Sequence, residues 1–326
     1  MKFGLYLDLR NPGGAVSWSS FYSLALDTCE RGEALGADSV WLSEHHGFAD
    51  GYLPQPLIFA AAIAARTSRI RIGTAVLLAS LRNPVHLVEE AAVVDLLSDG
   101  RLILGLGGGY RAAEFELFGI ENEGSSLTGL FLKHQQIREL LQERRVSPMP
   151  AQHPLDLWLG CNGPIGARRV GRLGEPLLSV RVELWPSYRT GLVEGGHDPT
   201  AARMSGPVNI FLTEDPARDA GVVANAFGYL WDSYAAANVE GTGEPLPPPV
   251  DTDLALKRGL AGGLRGLVVA RPEDAADLVV EHFSGIPVDT LFSWSLIPGV
   301  PRDLMDRHVE LWSATLPGLV AARTGA

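Results

Sequence analysis

Cysteine, net positive charge and long apolar runs are all scarce in this chain of 326 residues. Its two cysteines, Cys29 and Cys161, exclude a disulfide framework and suit a reducing compartment. Lys and Arg number 27 against 38 Asp and Glu, a net charge of −11 that disfavours binding to nucleic acid. No apolar run reaches the ~18 residues of a membrane-spanning helix. The N-terminal MKFGLYLDL lacks the apolar core of a signal peptide, so we expect a cytoplasmic protein.

What the chain does contain is a regular alternation of short apolar runs with helical segments. Strands are predicted at 3–7, 39–42, 71–77, 101–106, 155–159, 176–180, 208–212 and 290–294. Helices are predicted at 20–35, 56–67, 84–97, 127–144, 165–173, 186–194, 217–237, 272–283 and 302–316. The strands are apolar on both faces, as parallel strands between helices must be. Eight such strands predict one α/β domain over 1–326, a (β/α)8 TIM barrel. The alternative is an open, doubly wound sheet.

One stretch breaks the alternation between strands 7 and 8. Residues 235–266 include GTGEPLPPP and RGLAGGLRG, which are rich in glycine and proline. Long loops inside compact domains are usually lids or insertions. We therefore expect 235–266 to be a mobile lid within the single domain.

A carboxylate and two adjacent histidines follow the second predicted strand, in the sequence WLSEHHGF. Catalytic groups of a barrel lie after its strands, so this position favours a catalytic role. Neighbouring residues of an extended chain point in opposite directions, so Glu44 and His46 should face one side and His45 the other. That geometry argues against a shared metal ion, and no metal site is expected. The alternative is a histidine pair that only closes the end of the strand.

Two glycine-containing loops follow the fourth and fifth strands. GLGGGYRAAEF, 105–115, permits close approach of a ligand to the backbone, although a tight turn explains it equally well. In WLGCNGPIGARRVG, 158–171, Asn162 and Gly163 precede a proline-initiated helix. A helix N-terminus offers free N–H groups to an anion, while simple capping is the alternative.

Taken together, these motifs resemble the bacterial luciferase-like flavin monooxygenases. The resemblance extends over nearly the whole chain. It rests on the order of ALGADSVWLSEHH, RIRIGTAVLL, LSDGRLILGLGGGY, GCNGPIGARRVGRLG and GGHDP. The family fold is the same eightfold barrel, with a flavin bound at its C-terminal mouth.

The resemblance assigns roles to individual residues. His45 matches the catalytic histidine, supported by His46 and Glu44. The segment 74–76 should lie along the isoalloxazine ring, where the family often has a non-prolyl cis peptide, and the NGP loop should bind the FMN phosphate. The residues implied for cofactor binding are Thr74, Ala75, Val76, Gly107, Tyr110, Arg111, Cys161, Asn162, Gly163 and Val180.

The chain also departs from the family pattern. Many relatives have serine at the position of Asn162, and the luciferases have tryptophan at that of Val180. Luciferases also have a cysteine and an arginine in the loop where this chain has Gly107 and Gly108, which argues against light emission. The sequence does not decide which of Arg111, Arg168 and Arg169 neutralises the charge of the phosphate.

The implied reaction is that of a two-component monooxygenase. Reduced FMN from a separate flavin reductase would react with dioxygen through a 4a-hydroperoxide and oxidise a small organic substrate. The alternatives are a deazaflavin-dependent hydride-transfer oxidoreductase and a non-catalytic flavin-binding subunit.

The second and third predicted helices favour a homodimer. PLIFAAAIAARTS has no polar residue from 57 to 65, and PVHLVEEAAVVDLLS repeats the pattern. A barrel helix that is apolar all round must be covered on both sides. Isologous pairing of these helices would cover them, and the family resemblance agrees. The alternative is cover by loops of the same chain.

Overall fold

The computed structural model describes residues 1–120, 126–260, 264 and 266–325, without the side chains of Ser126 and Leu260. The strands of this part are Lys2–Leu7 (β1), Ser39–Leu42 (β2), Arg71–Thr74 (β3), Leu77–Leu78 (β4), Leu102–Gly107 (β5), Leu157–Leu159 (β6), Met204–Val208 (β7), Ile210–Leu212 (β8), Val268–Ala270 (β9) and Val288–Trp294 (β10). The α-helices are Trp18–Leu35 (α1), Pro56–Arg66 (α2), Pro84–Leu97 (α3), Ala112–Leu117 (α4), Ser126–Gln142 (α5), Pro164–Arg172 (α6), Trp185–Glu194 (α7), Pro216–Val239 (α8), Thr252–Leu260 (α9), Pro272–His282 (α10), Arg302–Glu310 (α11) and Leu316–Thr324 (α12).

The central sheet is parallel and curled. Its strands lie in the order β6-β5-β3-β2-β1-β10-β7, with β4 beside β5. Isolated parallel bridges join Leu177 to Leu159 of β6 and to Met204 of β7, so the two ends of the sheet meet through Leu177. Strand order follows chain order without the reversal of a doubly wound sheet. Of the predicted (β/α)8 barrel, the α/β fold and a curled parallel sheet are confirmed.

Several predicted strands differ in extent. The strand at 176–180 is reduced to the bridges of Leu177, whose N–H donates to Arg203 O and whose carbonyl accepts from Ser205 N. Pro176 has no N–H to extend this ladder. The strand at 208–212 is split between β7 and β8, and β8 pairs with β9 in a separate sheet. The sequence analysis missed β9, because three residues are too few for a period.

Part of the segment 235–266, which is predicted to be a mobile lid, is helical. Helix α8 continues to Val239, and α9 occupies 252–260. Asp251 begins α9, because its side chain accepts a hydrogen bond from Leu254 N at 2.9 Å. Residues 240–251 contain neither helix nor strand, and 261–263 and 265 lie outside the described residues. The predicted mobility stays a prediction.

Large aromatic side chains fill the inside of the curled sheet. Trp41 of β2 stacks on Phe292 of β10, with ring centroids 4.8 Å apart. Gly73 of β3 makes room for this stack, because a Cβ atom there would lie 2.4 Å from Trp41 Cε3. Along β1, Leu5 and Leu7 pack outward against the helices while Tyr6 joins the aromatic interior. The alternation places Tyr6 beneath the carboxyl end of the sheet.

Among the described residues, no helix is both long enough and apolar enough to cross a membrane.

The C-terminal segment passes from α11 through a π-helical turn, Leu311–Thr315, into α12. His308 of α11 is fully buried, and its ring stacks on Phe211 at 4.3 Å. Its Nδ1 atom accepts a hydrogen bond from Leu212 N at 2.8 Å. Burial lowers the pKa of His308 to about 3, since a charged imidazole would be desolvated.

This histidine predicts a pH dependence of stability. Between pH 6.5 and about 3 the unfolded chain binds a proton at His308 that the folded chain does not. Stability from this group is therefore present above pH 6.5 and lost as pH falls. We expect acidification from pH 7 to 4.5 to lower the melting temperature of wild type more than that of His308→Gln. The exposed His86→Gln variant should follow wild type, and equal slopes for all three proteins would contradict the assignment.

Candidate active site

A cavity of about 390 Å³ opens where the central strands end. The segments after β2, β3, β5 and β6 all reach it, as expected for a site at the C-terminal face of such a sheet. Its described lining residues are Tyr6, Ser43, Glu44, His45, Tyr52, Ala75, Val76, Leu78, Gly107, Gly108, Gly109, Tyr110, Leu127, Leu130, Gly160, Cys161, Asn162, Leu178, Pro207 and Tyr234.

A larger cavity, about 750 Å³, lies near the opposite ends of the strands. Its arginines already have partners: Arg71 pairs with Asp156 at 2.9 Å, and Arg138 pairs with Glu175 at 2.6 Å. The ends of parallel strands that face this cavity serve stability rather than catalysis in barrel folds. The smaller cavity is therefore the candidate active site.

The two histidines of the EHH motif point to different carboxylates. His46 Nε2 donates to Glu44 at 2.9 Å, while His45 Nδ1 donates to Glu114 at 2.7 Å. Glu44 also accepts from Leu78 N at 2.8 Å and from Arg82 at 2.7 Å. The two rings thus have separate carboxylate partners, as expected, but Glu44 lines the cavity together with His45 and does not face away from it. Of the pair, only His45 lines the cavity.

Glu114 is a site residue that the sequence analysis did not assign. It lies in α4, within the glycine-rich motif 105–115, and is fully buried. Its Oε1 atom accepts from His45 Nδ1, from His46 N at 2.8 Å and from Arg111 at 3.3 Å. The sequence did show a carboxylate nine residues after the first glycine of this motif. It could not show that this carboxylate pairs with His45, which lies 69 residues earlier in the chain.

The environment of Glu114 keeps it ionised. Burial is the largest single effect on this carboxyl and by itself would raise its pKa. The hydrogen bonds from the His45 ring and the His46 N–H and the electrostatic attraction of His45 and Arg111 together outweigh burial, so the pKa of Glu114 lies below its ordinary value. An ionised Glu114 holds the proton of His45 on Nδ1. Nε2 is thereby left toward the cavity, where its neighbour is Tyr110 OH at 3.4 Å.

Part of the implied cofactor set converges on the cavity. Ala75 and Val76 line it, and the peptide between them is cis. A Cβ atom at Gly107 would lie 2.2 Å from Val76 Cγ2, and one at Gly160 would lie 2.6 Å from Val76 Cγ1. Glycine is needed at both positions for the neighbouring backbones to approach this peptide. Tyr110, Cys161 and Asn162 complete the residues of that set on the lining.

Other residues of the implied set lie outside the lining. Thr74 is fully buried and joins β3 to β5 through a 2.7 Å hydrogen bond to Gly105 O. Val180 lies against a separate cavity beside Arg181. Arg111 is buried, with its guanidinium 4.3 Å from the Phe48 ring centroid, and it donates to His46 O at 2.7 Å. Gly163, the N-cap residue of α6, follows the lining residue Asn162.

The three arginines left open for the phosphate all have other partners. Arg111 is bound to Glu114 and Glu240, and Arg168 to Glu194. Arg169 lies over the Phe131 ring at 4.1 Å. A cation that contacts the NGP loop directly is Arg181, whose Nη1 donates to Asn162 O at 3.1 Å. The sequence analysis did not connect Arg181 with the NGP loop, because the two follow different predicted strands.

The lining of the cavity suits an organic cofactor. Within the described part of the chain, no three His, Cys, Asp or Glu side chains are grouped to hold a metal ion. Burial raises the pKa of Cys161 to about 12, so its thiol stays neutral. The cavity instead combines glycine backbone, aromatic rings and one imidazole. A Cβ atom at Gly163 would meet nothing within 4 Å, which leaves open space at the start of α6. These residues fit a flavin with its phosphate at that helix.

Comparison with known proteins gives the family. Residues 1–239 match the family model of luciferase-like monooxygenases, and the chain belongs to this family.

Two relatives differ in the cofactor that their names state. The chain is 32% identical over 167 residues to an F420-dependent glucose-6-phosphate dehydrogenase of Amycolatopsis mediterranei, covering 44% of this chain and 49% of the relative. It is 28% identical over 116 residues to the oxygenase component of a flavin-dependent trigonelline monooxygenase of Acinetobacter baylyi, covering 36% and 32%. The matches thus span half or less of these relatives.

Solved structures share the fold over their full length. Monooxygenase RslO1 from Streptomyces bottropensis has a TM-score of 0.83 at 22% identity, covering 98% of this chain and 99% of that one. The oxygenating constituent of 3,6-diketocamphane monooxygenase from Pseudomonas putida, in complex with FMN, has a TM-score of 0.77 at 16% identity, covering 97% and 98%.

The geometry predicts the effect of Glu114→Gln. An amide holds no charge against the His45 imidazole, so the ring should lose its single tautomer. In the neutral form of the ring, nitrogen NMR should show the proton of His45 on Nδ1 in wild type and shared between both nitrogens in the variant. Glu175→Gln, at the His134 pair, is the matched control and should leave His45 unchanged. An unchanged His45 tautomer in Glu114→Gln would contradict this role.

Proposed function

We propose that this protein is an FMN-dependent monooxygenase that oxidises a small organic substrate. The observation that carries the proposal is His45, which lines the cavity with Nδ1 fixed by Glu114 and Nε2 toward the space beside Ala75 and Val76. A flavin along the Ala75–Val76 peptide would share the cavity with this imidazole. Reduced flavin, when bound, activates dioxygen and transfers an oxygen atom to the substrate.

The chain's own residues would bind and orient the flavin. The isoalloxazine ring would lie against the backbone of 74–76 and Gly107. Free N–H groups at the start of α6, after Asn162 and Gly163, would hold the phosphate. Arg181, half-exposed beside Asn162 O, supplies positive charge at that end.

His45 would move the proton that the oxidation requires. With Nδ1 committed to Glu114, its Nε2 atom accepts or donates a proton at the cavity. The rings of Phe48, Tyr52 and Tyr110 surround the imidazole, with centroids 5.1, 4.8 and 5.4 Å away. They limit the access of water to the reacting atoms.

The names of relatives support this proposal and extend it. The Pseudomonas structure is an oxygenating constituent bound to FMN, and the Acinetobacter relative is an oxygenase component. By analogy, a separate flavin reductase would supply reduced FMN to this protein in the cytoplasm. The histidine, with its carboxylate partner in place, argues against a non-catalytic flavin-binding subunit.

The segment 235–266 would cover this site as part of one domain over 1–326. Three contacts near the end of α8 support this position. Tyr234 OH lies 2.8 Å from Tyr52 OH on the cavity lining, Ser233 Oγ accepts from Arg10 at 2.7 Å, and Glu240 pairs with Arg111. Residues just before the segment and at its start would thus lie close to His45.

A second candidate is deazaflavin-dependent hydride transfer, which the name of the Amycolatopsis relative favours. The two candidates differ in their need for dioxygen. Anaerobic titration with reduced FMN and with the reduced deazaflavin, followed by tryptophan fluorescence, gives the cofactor. Mixing the complex with aerated buffer in a stopped-flow instrument then tests oxygen use. Binding of the deazaflavin alone would overturn the monooxygenase proposal.

His45→Ala should leave FMN affinity nearly unchanged and slow the reoxidation of bound reduced FMN by roughly a hundredfold, the usual scale for a proton-transfer group. Stopped-flow absorbance of the flavin measures this rate. His134→Ala removes a buried histidine outside the cavity and is the control, expected to match wild type. Identical traces for His45→Ala and wild type would show that His45 is not catalytic.

The proposal includes a homodimer through α2 and α3, which pack against each other. Both helices expose apolar side chains: Ile58 is 71% exposed, Leu97 57% and Val93 46%. An exposed apolar surface that spans two adjacent helices marks a protein contact. Twofold pairing would bury it.

Ile58→Glu should therefore convert a dimer to a folded monomer, because pairing would bury the new charge. Size-exclusion chromatography with light scattering at micromolar concentration measures the mass. Val193→Glu is the matched control, since Val193 is 62% exposed on α7, away from these helices. A monomeric wild type, or a dimer unaffected by Ile58→Glu, would contradict this interface.

A further inference from the structure

Four hydroxyl groups from distant parts of the chain meet at one end of the cavity. They belong to Tyr6, Ser43, Tyr52 and Tyr234, which come from β1, the segment after β2 and α8, and all four line the cavity. We call them the hydroxyl cluster. The proton transfer assigned to His45 does not use them, although the Tyr52 and Tyr234 rings lie 4.8 and 6.0 Å from the His45 ring.

The hydrogen bonds within this cluster run in one direction. Tyr6 OH donates to the backbone carbonyl of Ala75 at 3.1 Å, and Tyr52 OH donates to Ser43 Oγ at 2.6 Å. Because a phenol has one proton, Tyr52 can only accept from Tyr234 OH, 2.8 Å away. The donors therefore run from Tyr234 through Tyr52 to Ser43, while the proton of Tyr6 goes to a carbonyl that cannot donate.

This direction leaves the phenols of the cluster able to accept a hydrogen bond from a ligand but not to donate one. The protons of all three phenols already have acceptors, while the Tyr234 oxygen, the first donor of the series, keeps free lone pairs. Burial raises the pKa of Tyr6 to about 12 and that of Tyr52 and Tyr234 well above the usual value, so all three phenols stay neutral. Tyr234 can therefore accept a hydrogen bond from a ligand, and none of the three phenols has a proton left to donate.

The rest of the lining selects against charge. Among the described residues that line the cavity, there is no Lys or Arg, and the one carboxylate, Glu44, already accepts from His46, Leu78 N and Arg82. A charged substrate beside the hydroxyl cluster would lose its hydration without gaining a partner, whereas the FMN phosphate would lie at the other end of the cavity, near Asn162. Leu178 and Pro207 add apolar surface beside the tyrosine rings. Such walls favour a flat, uncharged ring.

We propose that the hydroxyl cluster binds the hydroxyl group of an uncharged aromatic substrate, such as a phenol or naphthol, and selects it over the corresponding ether or ketone. Tyr234 would accept the hydrogen bond and hold the ring beside His45. This rests on the proposed function, since it makes the bound compound the substrate of the flavin reaction.

Three naphthalene probes of similar shape test the proposal. 2-Naphthol donates a hydrogen bond, whereas 2-methoxynaphthalene and 2-acetylnaphthalene only accept one. Calorimetric titration of the full chain at pH 7, with and without FMN, should show about tenfold tighter binding of 2-naphthol, the scale of one net hydrogen bond. Tyr234→Phe should abolish this preference without weakening the two acceptor probes.

Two further variants make the result specific. Tyr229→Phe, on the same helix but bound to Asp50 outside the cavity lining, should keep the preference for 2-naphthol. Tyr52→Phe removes the acceptor of the Tyr234 proton and should make 2-acetylnaphthalene bind more tightly than it does to wild type. Melting temperatures establish that each variant is folded.

Several outcomes would overturn the proposal: no binding of 2-naphthol, equal binding of all three probes, tighter binding of the ketone to wild type, or equal loss in Tyr229→Phe and Tyr234→Phe. FMN affinity is measured on the same samples by flavin fluorescence. Failure of wild type to bind FMN counts against the proposed function, whereas the order of the probes in the FMN-free chain decides the hydroxyl cluster separately.

Discussion

The active site depends on one carboxylate oxygen. Glu114 Oε1 accepts from the ring of His45, from the backbone of His46 and from Arg111, and so joins the segments that follow β2 and β5. These donors keep the pKa of Glu114 below its ordinary value, although burial alone would raise it. Without Glu114, two buried histidines would have only one carboxylate between them. The orientation of His45 then follows from a residue that no local pattern links to it.

A second constraint on the geometry of the site is the close packing beneath the cavity. Trp41 and Phe292 fill the inside of the sheet, and glycines at 73, 107 and 160 let neighbouring backbones approach these side chains and Val76. The floor of the site is therefore rigid, as close-packed interiors are. A rigid floor fixes the cis peptide between Ala75 and Val76 relative to His45. Binding geometry is thus set by packing before any ligand arrives.

Behind the aromatic wall lies a buried arginine. Arg10 pairs with Asp8 at 2.9 Å and Asp50 at 3.2 Å, and its guanidinium lies 4.5 Å from Tyr52 and 4.7 Å from Tyr234. Burial raises the pKa of Asp8 to about 6, even though the neighbouring Arg10 charge lowers it. The cation and the two tyrosine rings hold α8 against the segment after β2. Because Tyr234 belongs to α8, these contacts also fix its position in the site.

The sequence by itself determined the class of fold and the place of the chemistry. Apolar strands that alternate with helices specify a parallel sheet, and the EHH motif after the second strand places His45 at its carboxyl end, because both signals are local and periodic. Neither β9 nor α9 was predictable from the sequence, because their apolar runs are short. The pattern also does not predict that the strand at 176–180 is reduced to the bridges of Leu177. Only the tertiary structure brought Glu114 to His45 and Tyr234 to Tyr52, across 69 and 182 residues. Contacts between residues so far apart in the sequence depend on the packing of the whole core, so residue spacing along the chain does not predict them.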